Sequence, residues 1–423
     1  MAGVLFWLLI PMATVLCVTA LIFFLRALIG RHAGWMYYVL LLVFLLQPFV
    51  QIFTMPQIFA YNHIFGMFPG LSWDQTQPPF TTLLLYRLST LSYVGMMLAA
   101  TAVVAARRRH ALTRRVVHRN IALFVPALAA VLGSLFFSDT LGFSTSYAYL
   151  ERQLGSTFRS GDIRIVYDST VVSPENIRFI ADEHQFQFER VCEELGVEWN
   201  GTLTAYLYPD NQRKKRLLGT ESSELARPWR REIHITYDTW TSALKHEIVH
   251  VVAGEFGPFI NRAPFLRVLG LTEGLAMAIE WSWGNRTLHQ HSAAMLAQDI
   301  LPSVQGCIGT AGFITNSSSV SYVSAGSFTR WMIDTLGMPV VRRAYTADDV
   351  EGVTGLSYAE WDQRWRVFLH TVPRRRPDSI ATAYAFRRPS LFSAECPRVV
   401  TERTREAAAA LAARDAARAE TLY

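Results

Sequence analysis

Residues 241–256 of this 423-residue chain read Thr-Ser-Ala-Leu-Lys-His-Glu-Ile-Val-His-Val-Val-Ala-Gly-Glu-Phe. The spacing of the apolar residues predicts a helix over residues 241–255. His246 and His250 lie four residues apart, so their imidazoles project from one face of that helix and can ligate a single metal ion, Zn²⁺ in particular. Glu247 is placed to accept a proton from metal-bound water. A helix of the protein core with two hydrogen-bonded histidines has the same pattern. The surrounding sequence is therefore needed to distinguish a metal site from such a helix.

Glu273 is the candidate third ligand, in the segment Leu271-Thr-Glu-Gly-Leu-Ala276. The 23 residues after His250 leave room for the first helix to end at Gly254 or Gly257, for a loop through Pro258 and Pro264, and for a second helix. A carboxylate in so apolar a segment is costly to bury unless it is paired or bound to a metal. Three protein ligands leave a fourth position for water, which is typical of catalytic zinc.

The pair His-Glu-x-x-His (246–250) and Glu-Gly-Leu-Ala (273–276) resembles the gluzincin clan of zinc metallopeptidases. The resemblance implies an α+β zincin-like domain with a small mixed sheet followed by a mostly helical half. It also implies that His246, His250 and Glu273 hold zinc, with Glu247 as the general base. Glu280, seven residues after Glu273, falls where the M1-type aminopeptidase branch carries a second glutamate.

A later segment, Ser-Tyr-Val-Ser-Ala-Gly-Ser-Phe (321–328), is similar to a helix start in small peptidase-MA-like domains. By that resemblance, the Tyr322 hydroxyl stabilises the oxyanion of the reaction. The resemblance covers about residues 160–370 and is most specific over 231–280.

The chain departs from the family at two points. Met277 stands where thermolysin-like enzymes carry an aspartate, and no G-x-M-E-N sequence precedes the first motif, so aminopeptidase activity is not implied. We expect His234, His289 and His291 to be surface residues or supports for the metal ligands rather than ligands.

The remaining pattern of the second half supports a globular α+β domain. Alternating residues predict strands over 162–168, 202–208 and 231–237, and the last of these is expected to pair with an extended peptide by edge addition. Ser173-Pro174 predicts the start of a helix that ends at Gly196. Further helices are predicted over 264–283, 289–299, 325–336, 339–344 and 358–370.

The first third of the chain is predicted to cross a membrane. Hydrophobic residues form 51% of the sequence and charged residues only 17%, against about a quarter in soluble proteins. Apolar runs over 3–25, 35–55, 83–106 and 121–137 each approach the roughly 20 residues of a membrane-spanning helix. A signal peptide is the alternative for the first run, but that run lacks a basic start. Arg87 is expected to snorkel to the interface.

The distribution of arginines predicts the orientation. Arg26 and Arg31 follow the first run, and a cluster follows the third: Arg107, Arg108, Arg109, Arg114, Arg115 and Arg119. Residues 56–79 contain no Lys or Arg and one acid, Asp74. The positive-inside rule therefore places the N-terminus, this loop and everything after about residue 140 outside the cytoplasm. Nucleic-acid binding is the weaker interpretation of the cluster, because it lies between two apolar runs.

The sequence therefore predicts an integral protein of a bacterial plasma membrane, since Arg and Ala are abundant and Lys is scarce. Its regions are a four-helix transmembrane part (1–141), an extracytoplasmic peptidase domain (155–372) and a polar tail (373–423) with an Ala/Arg/Glu-rich helix over 401–420. The predicted partners are a peptide or protein substrate and the lipid bilayer, and no nucleic acid.

Two alternatives remain. A catalytically silent, membrane-anchored binding or signalling module could retain a peptidase fold. An intramembrane protease is less favoured, because those enzymes take an aspartate as third ligand. Cys17 lies in the first apolar run. Cys192, Cys307 and Cys396 are extracytoplasmic, and a Cys307–Cys396 disulfide is left open.

Overall fold

The computed structural model describes residues 7–68, 80–221, 223–257, 268–374, 382, 385–386 and 397–422. These residues are mostly helical and include a small mixed sheet. The chain divides into two compact units: Met1–Ser156 with Tyr208–Ser223, and Thr157–Leu207 with Glu224–Tyr423. The sequence did not predict that residues 208–223 belong to the first unit.

The first unit contains helices and one β-hairpin. In chain order its elements are a π-helical turn (Leu8–Met12), α1 (Ala13–Ile29), a 3-10 turn (Gly30–His32), α2 (Ala33–Thr54), β1 (Ala60–Asn62), β2 (Gly66–Phe68), α3 (Phe80–Arg108), α4 (Arg114–Phe136) and α5 (Tyr147–Leu154). β1 and β2 pair antiparallel. Asp74, in the predicted outer loop, lies outside the described residues.

Three helical stretches are long and apolar enough to cross a bilayer: Leu8–Thr54, Phe80–Arg108 and Arg114–Phe136. They contain the four predicted apolar runs from residue 8 onwards. The first stretch has 47 residues, about 70 Å as one straight helix, which is more than twice the thickness of a hydrocarbon core. It is interrupted at Gly30, whose φ of 62° favours glycine.

The interruption lets the first stretch fold back on itself. Arg87 of α3 donates to the carbonyl oxygen of His63 at 3.0 Å and to that of Ile10 at 3.5 Å. Ile10 precedes α1, and His63 follows α2. The start of α1 and the end of α2 therefore lie at the same end of the unit, so α1 and α2 are antiparallel.

Arg87 is buried, contrary to the prediction that it snorkels. Its side chain is 1% exposed, and it also donates to Thr14 Oγ1 at 3.4 Å. The physical reason is that peptide carbonyls of two neighbouring segments accept hydrogen bonds from the guanidinium inside the unit. Gly66, with φ at 90°, allows the hairpin to approach, since a Cβ there would lie 2.6 Å from Arg87 Nη2.

Residues 208–223 form α7 (Asn211–Leu218) and its flanks, and they pack within the first unit. Asp210 caps the helix by accepting from the backbone N–H of Arg213 at 2.7 Å. The N–H of Ile58 donates to the carbonyl of Leu218 at 2.8 Å, and the Leu218 side chain is fully buried. The segment is thus bonded to the loop that follows α2.

The second unit begins with a five-stranded sheet of order β3-β4-β5-β7-β6. Its strands are β3 (Gly155–Ser160), β4 (Ile163–Asp168), β5 (Leu203–Tyr208), β6 (Leu225–Arg227) and β7 (Glu232–Thr236). β4 and β5 pair parallel, and β6 and β7 pair antiparallel. β4, β5 and β7 confirm the three predicted strands within about one residue at each end.

The prediction that residues 231–237 form an edge strand is wrong. β7 lies between β5 and β6, and all five of its residues are buried. The outer position belongs to β6, a three-residue strand that the sequence analysis did not identify. Both sides of β7 are therefore occupied by strands of this chain.

Helices form the rest of the second unit. They are α6 (Pro174–Leu195), α8 (Trp240–Ala253), α9 (Leu269–Glu280), α10 (Leu288–Leu296), α11 (Val304–Ile308), α12 (Thr310–Thr315), α13 (Ser318–Leu336), α14 (Met338–Ala347), α15 (Val350–Thr354), α16 (Tyr358–Thr371), α17 (Pro397–Ala412) and α18 (Ala416–Leu422). A short hairpin, β8 (Ser282–Trp283) with β9 (Arg286–Thr287), separates α9 from α10. The predicted tail helix over 401–420 falls on two helices, α17 and α18, separated by residues 413–415.

One apolar core joins the sheet to α6 and to the helices from α8 to α16. Ile165 of β4 and Ile233 of β7 are fully or almost fully buried with Ile180 of α6 and Ile248 of α8. Cys307 is a buried free thiol, and Cys396 lies outside the described residues, as do the predicted helix start at Pro264 and the loop at Pro258.

Candidate metal centre

α8 places the two histidines on one side of a core helix. Its residues Leu244, Ile248 and Val252 are buried in the apolar core. Because 3.6 residues make one turn, His246 and His250 project together from a different face. The side chains of His246 and His250 are 14% and 12% exposed. The helix therefore presents two imidazoles at the edge of the core rather than inside it.

α9 brings Glu273 back to the histidines. The helix packs closely against α13, because Gly274 leaves room for the backbone of Ala325. A Cβ at Gly274 would lie 2.7 Å from Thr329 Oγ1 and 3.0 Å from the Ala325 carbonyl oxygen. The glycine next to Glu273 thus fixes how near the carboxylate-bearing helix comes to its neighbour.

The three side chains converge on one point. Glu273 Oε2 lies 3.3 Å from His246 Nε2 and 3.4 Å from His250 Nε2, and the two Nε2 atoms are 3.2 Å apart. Such a triangle can hold one metal ion, and within the described parts of the chain it is the single group of this kind. The structure brings together all three residues that the sequence predicted as ligands.

Glu280 lies behind the first histidine. Its Oε2 is 3.3 Å from His246 Nδ1, the ring nitrogen that does not face Glu273. A carboxylate at this position fixes the tautomer of a ligating imidazole and makes its other nitrogen more basic. The family resemblance pointed to Glu280 but predicted no contact for its carboxylate. The signal in the sequence was its spacing from Glu273, because residues seven apart on a helix share one face.

Glu247 and Tyr322 lie next to the triangle. Burial raises the pKa of Glu247, and the charges of His246 and His250 oppose that rise. Burial also raises the pKa of Tyr322 well above its ordinary value, and the Glu273 carboxylate, to which its hydroxyl is hydrogen-bonded, raises it further. The tyrosine hydroxyl is therefore a neutral hydrogen-bond donor at neutral pH.

Protons compete for the same atoms as a metal. Burial lowers the pKa of His246, but its hydrogen bonds to Glu273 and Glu280 more than offset this and raise it to about 10. Burial raises the pKa of Glu273, and the two histidines reverse this and hold it well below the ordinary value. A metal has to displace the proton shared in this cluster, because imidazole ligates in its neutral form.

The three histidines that were expected at the surface or as supports are buried, so the surface interpretation is wrong for them. His234 stacks on Tyr206 at 4.9 Å and lies 3.3 Å from Glu232 Oε1. His289 Nδ1 is 2.8 Å from Ser327 Oγ, and His291 Nε2 donates to the carbonyl of Trp283 at 2.9 Å. Aromatic and helical neighbours enclose each ring. No contact to His246, His250 or Glu273 is seen for these rings in the described structure.

A comparison of the chain with models of known protein families finds no match, and a comparison with curated proteins finds none either. The geometry of the site and the motifs of the sequence are therefore the features that bear on its function.

Proposed function

We propose that this protein is a membrane-anchored, zinc-dependent metallopeptidase of the gluzincin type. The observation that carries the proposal is the triangle of His246, His250 and Glu273 with Glu247 beside it. The order of a small sheet followed by helices supports the zincin-like interpretation, as does the spacing of the two motifs. The substrate class is peptide or protein.

The size of the triangle favours zinc. Zinc–ligand distances of about 2.0–2.1 Å in tetrahedral geometry separate the ligand atoms by about 3.3–3.4 Å. The three separations here are 3.2, 3.3 and 3.4 Å. Two imidazoles and one carboxylate also form the donor set of catalytic zinc, which keeps a position open for water and substrate.

Different residues of the protein have different roles in the proposed reaction. Zinc, when bound, lowers the pKa of water to about 7 and polarises a carbonyl group. Glu247, with its raised pKa, is suited to accept a proton and pass it to the leaving amine. Tyr322 donates a hydrogen bond to the oxygen that gains charge in the transition state. Glu280 orients His246.

Strand β6 replaces the predicted 231–237 strand as the place where an extended peptide can pair. Among the described strands it is the outermost one on the side of β7, and β7 directly precedes α8. Addition of a peptide strand uses main-chain hydrogen bonds for affinity and leaves the side chains to set specificity.

The membrane part is proposed to cross the bilayer four times. Antiparallel α1 and α2 give two crossings within the stretch Leu8–Thr54, and α3 and α4 give two more. The exposed arginines at the α3–α4 turn would then face the cytoplasm and the peptidase would lie outside.

The decisive experiment measures metal and cleavage together on the full-length chain in detergent. We expect about one zinc per chain in the parent and in Glu247→Gln, weak zinc binding in Glu273→Ala, and peptide cleavage by the parent alone. Zinc without cleavage, unchanged by Glu247→Gln, would favour the catalytically silent binding module. A folded parent that binds no zinc would contradict the proposal.

A further inference from the structure

A cavity of about 270 Å³ opens in the second unit next to the metal centre. α6 contributes Phe179, Glu183 and Gln187 to its wall, and the first turns of α8 contribute Trp240 and Lys245. Glu280, at the end of α9, completes the lining. The cavity therefore meets the metal centre through Glu280, on the Nδ1 side of His246.

The lining combines carboxylates with aromatic rings. The rings of Phe179 and Trp240 meet edge to face with centroids 6.2 Å apart, and Phe179 is 63% exposed. The Glu183 carboxylate accepts from the Gln187 side chain at 2.7 Å, which fixes its orientation. Carboxylates beside aromatic faces attract a cation by charge and by the ring quadrupole.

The cationic residue of the lining is already engaged. Lys245 Nζ lies 3.2 Å from Glu194 Oε1, and Glu194 does not line the cavity. Within the described structure Glu183 makes no ion pair, and Glu280 pairs with His246 alone. In the described chain no lysine or arginine therefore forms an ion pair with either carboxylate of the cavity, and Glu280 is paired with His246.

We propose that this cavity binds a guanidinium group, as in an arginine side chain of a peptide, and that the bound cation weakens metal binding. A planar guanidinium can stack on an aromatic ring and donate to both carboxylates. Its contact with Glu280 withdraws charge from the carboxylate that holds His246 Nδ1, so Nε2 becomes a poorer ligand. This coupling rests on the proposed zinc site, whereas binding of the cation does not.

The first test is binding of N-acetyl-L-arginine amide to the metal-free, full-length chain. N-acetyl-L-citrulline amide, which is uncharged and nearly isosteric, is the matched probe. We expect the arginine amide to bind at least tenfold more tightly than the citrulline amide and Glu183→Gln to weaken it about tenfold. Glu193→Gln, an exposed glutamate on the same helix, should have no effect. Equal binding of the two amides, or no effect of Glu183→Gln, would refute the site.

The second test is a zinc titration with and without the arginine amide. We expect zinc affinity to fall about fivefold when the amide is bound, which lies within the usual range of coupling between sites, and amide affinity to fall by the same factor when zinc is bound. In Glu183→Gln the shift in zinc affinity should require about tenfold more amide than in the parent. An unchanged zinc affinity refutes the coupling. Amide binding in a chain that takes up no zinc supports the cavity and refutes the proposed function.

Discussion

Individual hydrogen bonds orient the side chains of the candidate metal ligands. For His246, the hydrogen bond to Glu280 is the most important of these. Without it, Nδ1 of the first ligand has no fixed partner and the ring can rotate within its pocket. The family resemblance pointed to this residue, but the sequence could not show which ring nitrogen the carboxylate faces, since that depends on the rotamers of two side chains on different helices.

Replacing Glu280 should therefore weaken the metal site without removing a ligand. We expect Glu280→Ala to lower zinc affinity by about 10- to 100-fold, the usual cost of losing a carboxylate behind a ligating histidine. Glu280→Gln should recover part of the loss, because its amide oxygen can still accept from Nδ1. Competition with a chelating dye measures the affinity, with His370→Ala as the control at an exposed site. Equal affinities in all the variants would contradict the orienting role.

Tyr322 should affect the reaction and not the metal. We expect Tyr322→Phe to lower kcat for peptide cleavage by about 100- to 1,000-fold, the range for losing one donor to a developing oxyanion. Zinc content should stay at the parent level. The two readouts are kcat on a fluorogenic peptide and metal by mass spectrometry. Loss of zinc together with activity would show instead that the hydroxyl acts through its hydrogen bond to Glu273.

His184 makes the second unit less stable in acid. Burial lowers the pKa of its imidazole to about 4, although its hydrogen bond to the Ile180 carbonyl works against this, while the unfolded chain titrates near 6.5. The unfolded state therefore takes up a proton first as the pH falls below 6.5. The stability contributed by the neutral imidazole is lost progressively between about pH 6.5 and pH 4, and about 2 kcal/mol has gone at pH 5.

The measurement is thermal unfolding of the metal-free chain at pH 7 and pH 5, compared between the parent and His184→Leu. The difference between the two proteins isolates this group, because the remaining titrations are common to both. We expect the variant to lose less Tm on acidification than the parent. His370→Gln, a change at an exposed histidine, should follow the parent. Identical acid shifts in all three proteins would disprove the assignment.

Among the elements, the crossing of α9 and α13 does most to place the third ligand. Gly270 and Gly274 lie one turn apart on α9, and backbone atoms of other segments occupy the space where their Cβ atoms would be. The sequence predicted both helices, but α13 begins seven residues earlier than predicted. The contact between them involves residues more than 40 positions apart, which a local pattern does not encode.

Gly274→Ala tests this crossing. The new methyl group would press on Thr329 Oγ1 and on the Ala325 backbone, and overpacking of this kind costs about 1–3 kcal/mol. We expect a lower Tm of the second unit and weaker zinc binding, since Glu273 is the next residue. Gly133→Ala in α4 is the control, because nothing lies within 4 Å of the added Cβ. Equal Tm values for Gly274→Ala and Gly133→Ala would mean that α9 and α13 can move apart without a loss of stability.

Predictability differs between the elements for a physical reason. Long elements with a strong periodicity, such as α6 and α8, were predicted almost to the residue, as were β4, β5 and β7. The short strands β3 and β6 and the short helices α11, α12 and α15 were missed, because their pairing partners or neighbours, rather than their own residues, stabilise them. Missing β6 led directly to the error about the edge of the sheet.

At the scale of the whole molecule, the proposed topology rests on charge. The arginines of the α3–α4 turn are exposed, while the buried Arg87 is held by carbonyl oxygens. Composition could predict that the first third is apolar and which loop is basic. It could not predict that Arg87 turns inward, because the carbonyls that hold it come from two distant segments.

The orientation can be tested with single thiols in a chain whose four cysteines are replaced. We expect His370→Cys to react with a membrane-impermeant maleimide in intact cells. His118→Cys, exposed at the basic end of α4, should react only after lysis. Labelling of both sites from outside, or of His118→Cys alone, would reverse or reject the proposed topology.

The chain order of the two units determines how the second unit can be separated from the first by proteolysis. The chain passes between the units three times, and residues 208–223 return to the first unit, where the Ile58 N–H bonds the Leu218 carbonyl. A protease that cut once after Ser156 would leave two fragments that stay associated, because α7 of the second fragment packs within the first unit and bonds to Ile58. Shedding would need either further cuts on both sides of α7 or the undocking of that helix. A single cut at this position would therefore not separate the second unit from the first.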